Sequence, residues 1–75
     1  MWSKGYIRVG CRFVKYEMKR YDKPSMSGIE NGRISKLTIW MDGKIVLNYD
    51  RGWDLTGQGN KTARAALEKI LNKYN

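Results

Sequence analysis

Apolar residues recur along this chain at two different spacings. Towards the C-terminal end, Ala63, Ala66, Leu67, Ile70, Leu71 and Tyr74 fall at i, i+3, i+4, i+7, i+8 and i+11. That is a single stripe of helical period, with Arg64, Glu68, Lys69 and Lys73 off it. The spacing predicts a helix over about 61–74, with Asn60 or Thr62 as N-cap. Lys69 and Lys73 sit near the negative end of its dipole. So short a helix is not stable alone, so its stripe must pack on another layer.

Residues 33–50 alternate instead and predict a β-hairpin, Arg33–Trp40 followed by Lys44–Tyr49 around Met41-Asp42-Gly43. A two-residue Asp-Gly loop would set Ile39 opposite Val46 and Leu37 opposite Asn48, mixing the faces. A three-residue loop with Gly43 as a left-handed bulge sets Ile39 opposite Ile45 and Leu37 opposite Leu47. That register makes one face apolar, so the bulged turn is expected. The other face then carries Lys36, Thr38, Trp40, Lys44, Val46 and Asn48. A second hairpin is expected from strands at about 2–9 and 11–21, with a bulge near Val14-Lys15 where the apolar phase switches. Residues 22–32 are rich in turn formers and read as a mobile loop.

These elements sum to an α+β fold, a four-stranded antiparallel meander with one C-terminal helix across one face (ββββα). Leu37, Ile39, Ile45, Leu47, Ala66, Leu67, Ile70 and Leu71 form the expected core. One helix cannot cover both faces, so the second is solvated, covered by a loop, or used.

Composition sharpens this. With 75 residues the chain is one domain, and so small a core would be helped by a homodimer or a bound partner. Fifteen Lys and Arg against seven Asp and Glu give +8, a field that attracts nucleic acid, nucleotides, anionic membrane or an acidic protein face, unless it serves solubility alone. Cys11 is the single cysteine and cannot form a disulfide within the chain, which fits a reducing compartment. No signal peptide follows Met1, and no apolar run approaches the ~20 residues of a membrane helix. A cytoplasmic protein is expected. His is absent, which argues against a zinc site.

No Ser or Cys has a His partner, so no nucleophilic arrangement forms. Asp42, Asp50 and Asp54 read as solvated loop residues rather than a magnesium site. No catalytic residue, cofactor or metal is therefore expected. Two binding features stand out. Gly57-Gln58-Gly59-Asn60-Lys61-Thr62 runs into the helix, where free N–H groups, Lys61 and the Thr62 hydroxyl can hold a phosphate. The same segment can equally be a plain connector ending in a capped helix start. In the central hairpin, Lys36, Trp40 and Lys44 share the non-core face, Arg33 extends the row and Arg51 lies just beyond. A ring among cations is what base stacking plus phosphate contact requires. Alternatively Trp40 fills a small core under the 22–32 loop, while Trp2 and Trp53 read as core or edge packing.

Asn31-Gly32-Arg33-Ile34-Ser35-Lys36-Leu37, Tyr49-Asp50-Arg51-Gly52-Trp53-Asp54 and Ala65-Ala66-Leu67-Glu68 resemble a family of small uncharacterised proteins of Gram-positive bacteria and their phages. The resemblance implies a short intracellular protein encoded by a phage or prophage, in a setting where such proteins counter host defence. It assigns no residue a role.

Two functions compete. The first is a basic module that binds a nucleotide signal or nucleic acid through Arg33, Lys36, Trp40, Lys44, Arg51, Lys61 and Thr62. The second is an anti-CRISPR-like inhibitor that docks on an acidic face of a host defence protein. A nucleotide needs a concave pocket, whereas a protein partner needs a broad apolar patch with a basic rim.

Overall fold

A computed structural model describes residues 2–75; Met1 lies outside the described residues. The strands are β1 (Trp2–Val9), β2 (Arg12–Arg20), β3 (Ile34–Met41), β4 (Lys44–Asp50) and β5 (Trp53–Leu55), followed by α1 (Lys61–Tyr74). They pair antiparallel in the order β1-β2-β3-β4-β5. The meander with a terminal helix is as expected, but it has five strands rather than four. The fifth is a three-residue exposed edge strand that returns through Asp50-Arg51-Gly52, where the Asp50 N–H donates to the Gly52 carbonyl.

The helix keeps its expected bounds. Asn60 is the N-cap, its Oδ1 accepting from the Ala63 N–H at 3.0 Å. Ala63, Ala66, Leu67 and Ile70 are buried, and Leu71 and Tyr74 pack at the margin. They cover Val14, Tyr16 and Met18 of β2, Leu37 and Ile39 of β3, and Leu47 and Tyr49 of β4. These strand residues share one face because Tyr16 and Met18 stand opposite Ile39 and Leu37, which in turn face Leu47 and Tyr49.

Two expectations about phase fail here for physical reasons. The β3–β4 turn has two residues, Asp42 and Gly43, with φ of 53° and 78°. Both are positive, as a type I′ hairpin turn demands, and Asp-Gly meets that demand cheaply. The extra residue needed to align the apolar sets sits inside β4 instead. Trp40 faces Ile45 and Ile39 faces Leu47, so Val46 is the bulge. Leu37 and Leu47 share the buried face as expected, but Leu37 pairs with Tyr49. Ile45, expected in the core, turns to the other face and is 49% exposed. In the first hairpin the register runs unbroken from Val9↔Arg12 to Trp2↔Lys19, with no bulge at Val14-Lys15. Phe13 does not join the core and is 69% exposed.

The 22–32 segment is also more structured than expected. Ile29, in a 3-10 turn at Ile29–Asn31, is buried in the core. The Tyr49 hydroxyl donates to the Ser27 carbonyl at 2.7 Å. Asn75 pins this segment to the helix end. Its amide donates to the Ile29 carbonyl at 3.0 Å and accepts from the Ile34 N–H at 3.1 Å. A Cβ on Gly32 would run into that amide, so a larger residue there would displace the clamp. The segment therefore lies on the helix side and does not cover Trp40.

Asn75→Ala strands the Ile34 N–H and is expected to cost about 1–3 kcal/mol. Leu67→Ala, in the core, is expected to cost about 2–5 kcal/mol. Urea titration should show both as a lowered midpoint with an unchanged slope; an unshifted midpoint for Asn75→Ala would leave the clamp without energetic weight.

Candidate functional site

The sheet face turned away from α1 is built by alternation, interrupted in β4 by the Val46 bulge. β1 contributes Trp2, Lys4, Tyr6 and Arg8, every one exposed. From β2 come Phe13, Lys15, Glu17 and Lys19, and from β3 Lys36, Thr38 and Trp40. Because paired residues share a face, these side chains form rungs across the sheet. One rung runs Tyr6, Lys15, Trp40, Ile45. Another runs Trp2, Lys19, Lys36, Asp50. Between them lie Lys4, Glu17, Thr38 and Asn48, where the Thr38 hydroxyl donates to the Asn48 Oδ1 at 2.8 Å.

Rings and cations already meet on this face. The Lys15 ammonium rests 5.2 Å from the Trp40 ring centre. Lys19 and Lys36 stand over Trp2 at 5.8 and 5.9 Å. Lys19 also stands 5.4 Å from the ring of Tyr21, just past the end of β2. The hydrogen bond and charge of Lys19 hold the Tyr21 phenol below its ordinary pKa. Trp2 at 54%, Tyr6 at 68% and Phe13 at 69% exposed are large apolar surfaces left in solvent.

The seven residues singled out from sequence do not form one site. Trp40 and Lys36 occupy the bare face as expected. Arg51 joins them at its margin, where its Nε and the Lys36 ammonium lie 3.5 and 3.7 Å from the Asp50 carboxylate. Lys44 does not: the two-residue turn pairs it with Met41, whose face carries the core. Arg33 does not either, because its guanidinium donates to the Tyr74 carbonyl at 3.1 Å and so caps the end of α1. Lys61 and Thr62 open α1, in the other layer, beside a shallow groove lined by Trp53, Arg64 and Leu67. Trp53 packs edge-on against Tyr49 at 5.0 Å.

Sequence reasoning missed the contribution of the first hairpin. The signal was present: Trp2, Lys4, Tyr6 and Arg8 alternate without a break, and so do Phe13, Lys15, Glu17 and Lys19. The bulge expected near Val14-Lys15 concealed it, because it broke the alternation of β2 in two. Among the described residues, no three of Cys, Asp and Glu gather as metal ligands, and no helix is long and apolar enough to cross a membrane.

On the helix side, the Tyr16 and Tyr74 hydroxyls lie 3.4 Å apart. Donation to Tyr74, reinforced by burial, pushes the Tyr16 pKa up to about 12. Accepting that bond, together with Lys73, lowers Tyr74. The fold therefore favours protonated Tyr16. Its contribution to stability is full below the unfolded value of 10.0 and is lost as pH rises through about 12. Absorbance titration of tyrosinate should show Tyr21 and Tyr74 ionising ahead of Tyr16. Tyr74→Phe should bring Tyr16 down; a late transition that persists in that variant would assign it elsewhere.

Residues 1–75 match the family model described as a domain of unknown function, DUF7678, and the chain belongs to that family. No curated protein and no solved structure matches it.

Proposed function

We propose that this member of a family of unknown function is a non-catalytic module whose bare sheet face binds single-stranded nucleic acid. The observation that supports this is the rung Tyr6, Lys15, Trp40, Ile45, with a second rung in which Lys19 and Lys36 both stand over the ring of Trp2. Rings and ammonium groups alternate across neighbouring strands about 4.8 Å apart. An exposed ring takes a base on its face, and a cation one strand away takes the adjoining phosphate.

Magnitudes favour the exchange. In the free protein the Lys15 ammonium rests on Trp40, a contact worth about 0.5–1 kcal/mol at an exposed site. A stacked base contributes about 1–3 kcal/mol. The base displaces the ammonium, which swings to a phosphate and keeps an electrostatic partner. The face is open and spans four strands, which suits a strand of nucleotides better than the walled pocket a single nucleotide requires. In the anti-defence role that the sequence resemblance implies, such a face would mask nucleic acid.

Oligonucleotide titration at two ionic strengths tests this. Trp40→Ala should weaken binding at both, since stacking survives salt. Lys15→Ala and Lys36→Ala should weaken it mainly at low salt, each reducing the log–log salt slope by roughly 0.7. Lys44→Ala, on the other face, should leave the slope unchanged. Failure of the wild type to bind any oligonucleotide, with salt-sensitive binding to an acidic protein, would transfer the face to the docking alternative.

A further inference from the structure

We propose that two copies of this chain join through their β1 edges, making one continuous ten-stranded sheet with both bare faces on the same side. β1 is an eight-residue edge strand, whereas the opposite edge, β5, has three residues. A long edge presents a row of N–H and C=O groups that another strand can pair with. The β1–β2 loop is the two residues Gly10 and Cys11, so Val9 and Arg12 flank it as a hydrogen-bonded pair. By alternation, the main-chain groups of Ile7 and Gly5 also point to β2, and those of Lys4, Tyr6 and Arg8 point off the sheet. The Lys69 ammonium, which donates to the Arg8 carbonyl at 2.9 Å, confirms this direction. It also occupies the last acceptor of the edge and leaves Lys4 and Tyr6 as its open centre.

The sequence of this edge selects one register. Antiparallel pairing through the outward groups that keeps both Lys4 and Tyr6 opposite β1 residues allows a two-fold axis at Lys4, Gly5 or Tyr6, because opposed residues must both point outward. An axis at Lys4 sets Lys4 against the partner's Lys4. An axis at Tyr6 sets Lys4 against the partner's Arg8. An axis at Gly5 sets Lys4 against the partner's Tyr6 and Trp2 against the partner's Arg8, so every cation faces a ring. The two Lys4–Tyr6 pairs then exchange four backbone hydrogen bonds. On the helix side the two Gly5 residues meet, and no side chain stands at the axis. Since the axis is perpendicular to the sheet, both helices stay on one side.

The edge chemistry carries this pairing by itself; use of the doubled face rests on the nucleic-acid reading. Salt separates the two. Two chains of +8 repel, so screening should favour the ligand-free dimer, while phosphate binding weakens with salt.

The test uses ligand-free protein. Sedimentation over a series reaching high micromolar concentration should show a monomer–dimer equilibrium that shifts to dimer as salt rises. Tyr6→Lys, which sets Lys against Lys at both central pairs, should raise the dimer Kd about tenfold or more. In a Cys11→Ser background, a mixture of K4C and Y6C chains should oxidise to the mixed disulfide. Opposed hydrogen-bonded residues are about 5.5 Å apart at Cα, within disulfide range. Neither chain alone should cross-link. Cross-linking of K4C or Y6C alone would overturn the register, and a monomer at every concentration and salt would overturn the pairing. A monomer that still binds oligonucleotide removes the dimer and leaves the binding face. A dimer that binds none does the reverse.

Discussion

Burial of Met18, Leu37, Ile39 and Leu47 under Ala66, Leu67 and Ile70 is the contact on which the rest of the molecule depends. A sheet residue can reach the helix only if its strand is in the right phase, and one residue of slip turns every side chain over. The Val46 bulge is the device that keeps β4 in phase with β3. It lets the type I′ turn at Asp42 and Gly43 and the apolar pairing Ile39↔Leu47 hold together. The 14-residue helix is too narrow to seal a five-stranded sheet, so Ile29 fills the remaining gap, held down by Asn75.

The same constraint creates the bare face. Every residue that alternation sends towards α1 leaves its neighbours pointing away, and no other layer of the described residues covers them. Where a solvated face carries mainly charged and small polar groups, this one keeps Trp2, Tyr6, Phe13, Trp40 and Ile45 among Lys4, Lys15, Lys19 and Lys36. Exposed rings cost solubility, and here surrounding charge offsets that cost.

Much of this was legible from the residues. The helix, its Asn60 cap and the buried set Leu37, Ile39, Leu47, Ala66, Leu67 and Ile70 follow from periodicity. Lys36 and Trp40 follow from the alternation of β3 alone. Bulge position did not follow, because Asp-Gly supports either a two- or a three-residue loop, and only the paired strand shows where the extra residue goes. That uncertainty moved Ile45 and Lys44 to the wrong faces. Arg33 was misplaced for a different reason: its partner is the Tyr74 carbonyl, 41 positions away, and no local pattern reports a main-chain acceptor so distant. β5 escaped notice because three exposed residues carry no periodicity.

A meander also sets the loop lengths that folding must close. Each strand pairs only with its neighbours in the chain, so hairpins close over short loops, which is kinetically cheap. The turn at Asp42 and Gly43 favours the β3–β4 pair from the start. The contacts made by α1 join residues far apart in sequence, such as Lys69 with Arg8 and Tyr74 with Tyr16. With separations of 61 and 58 positions, they carry a larger loop-closure cost than any hairpin turn. The bare face thus rests on contacts local in sequence, and the helix side on contacts that span nearly the whole chain.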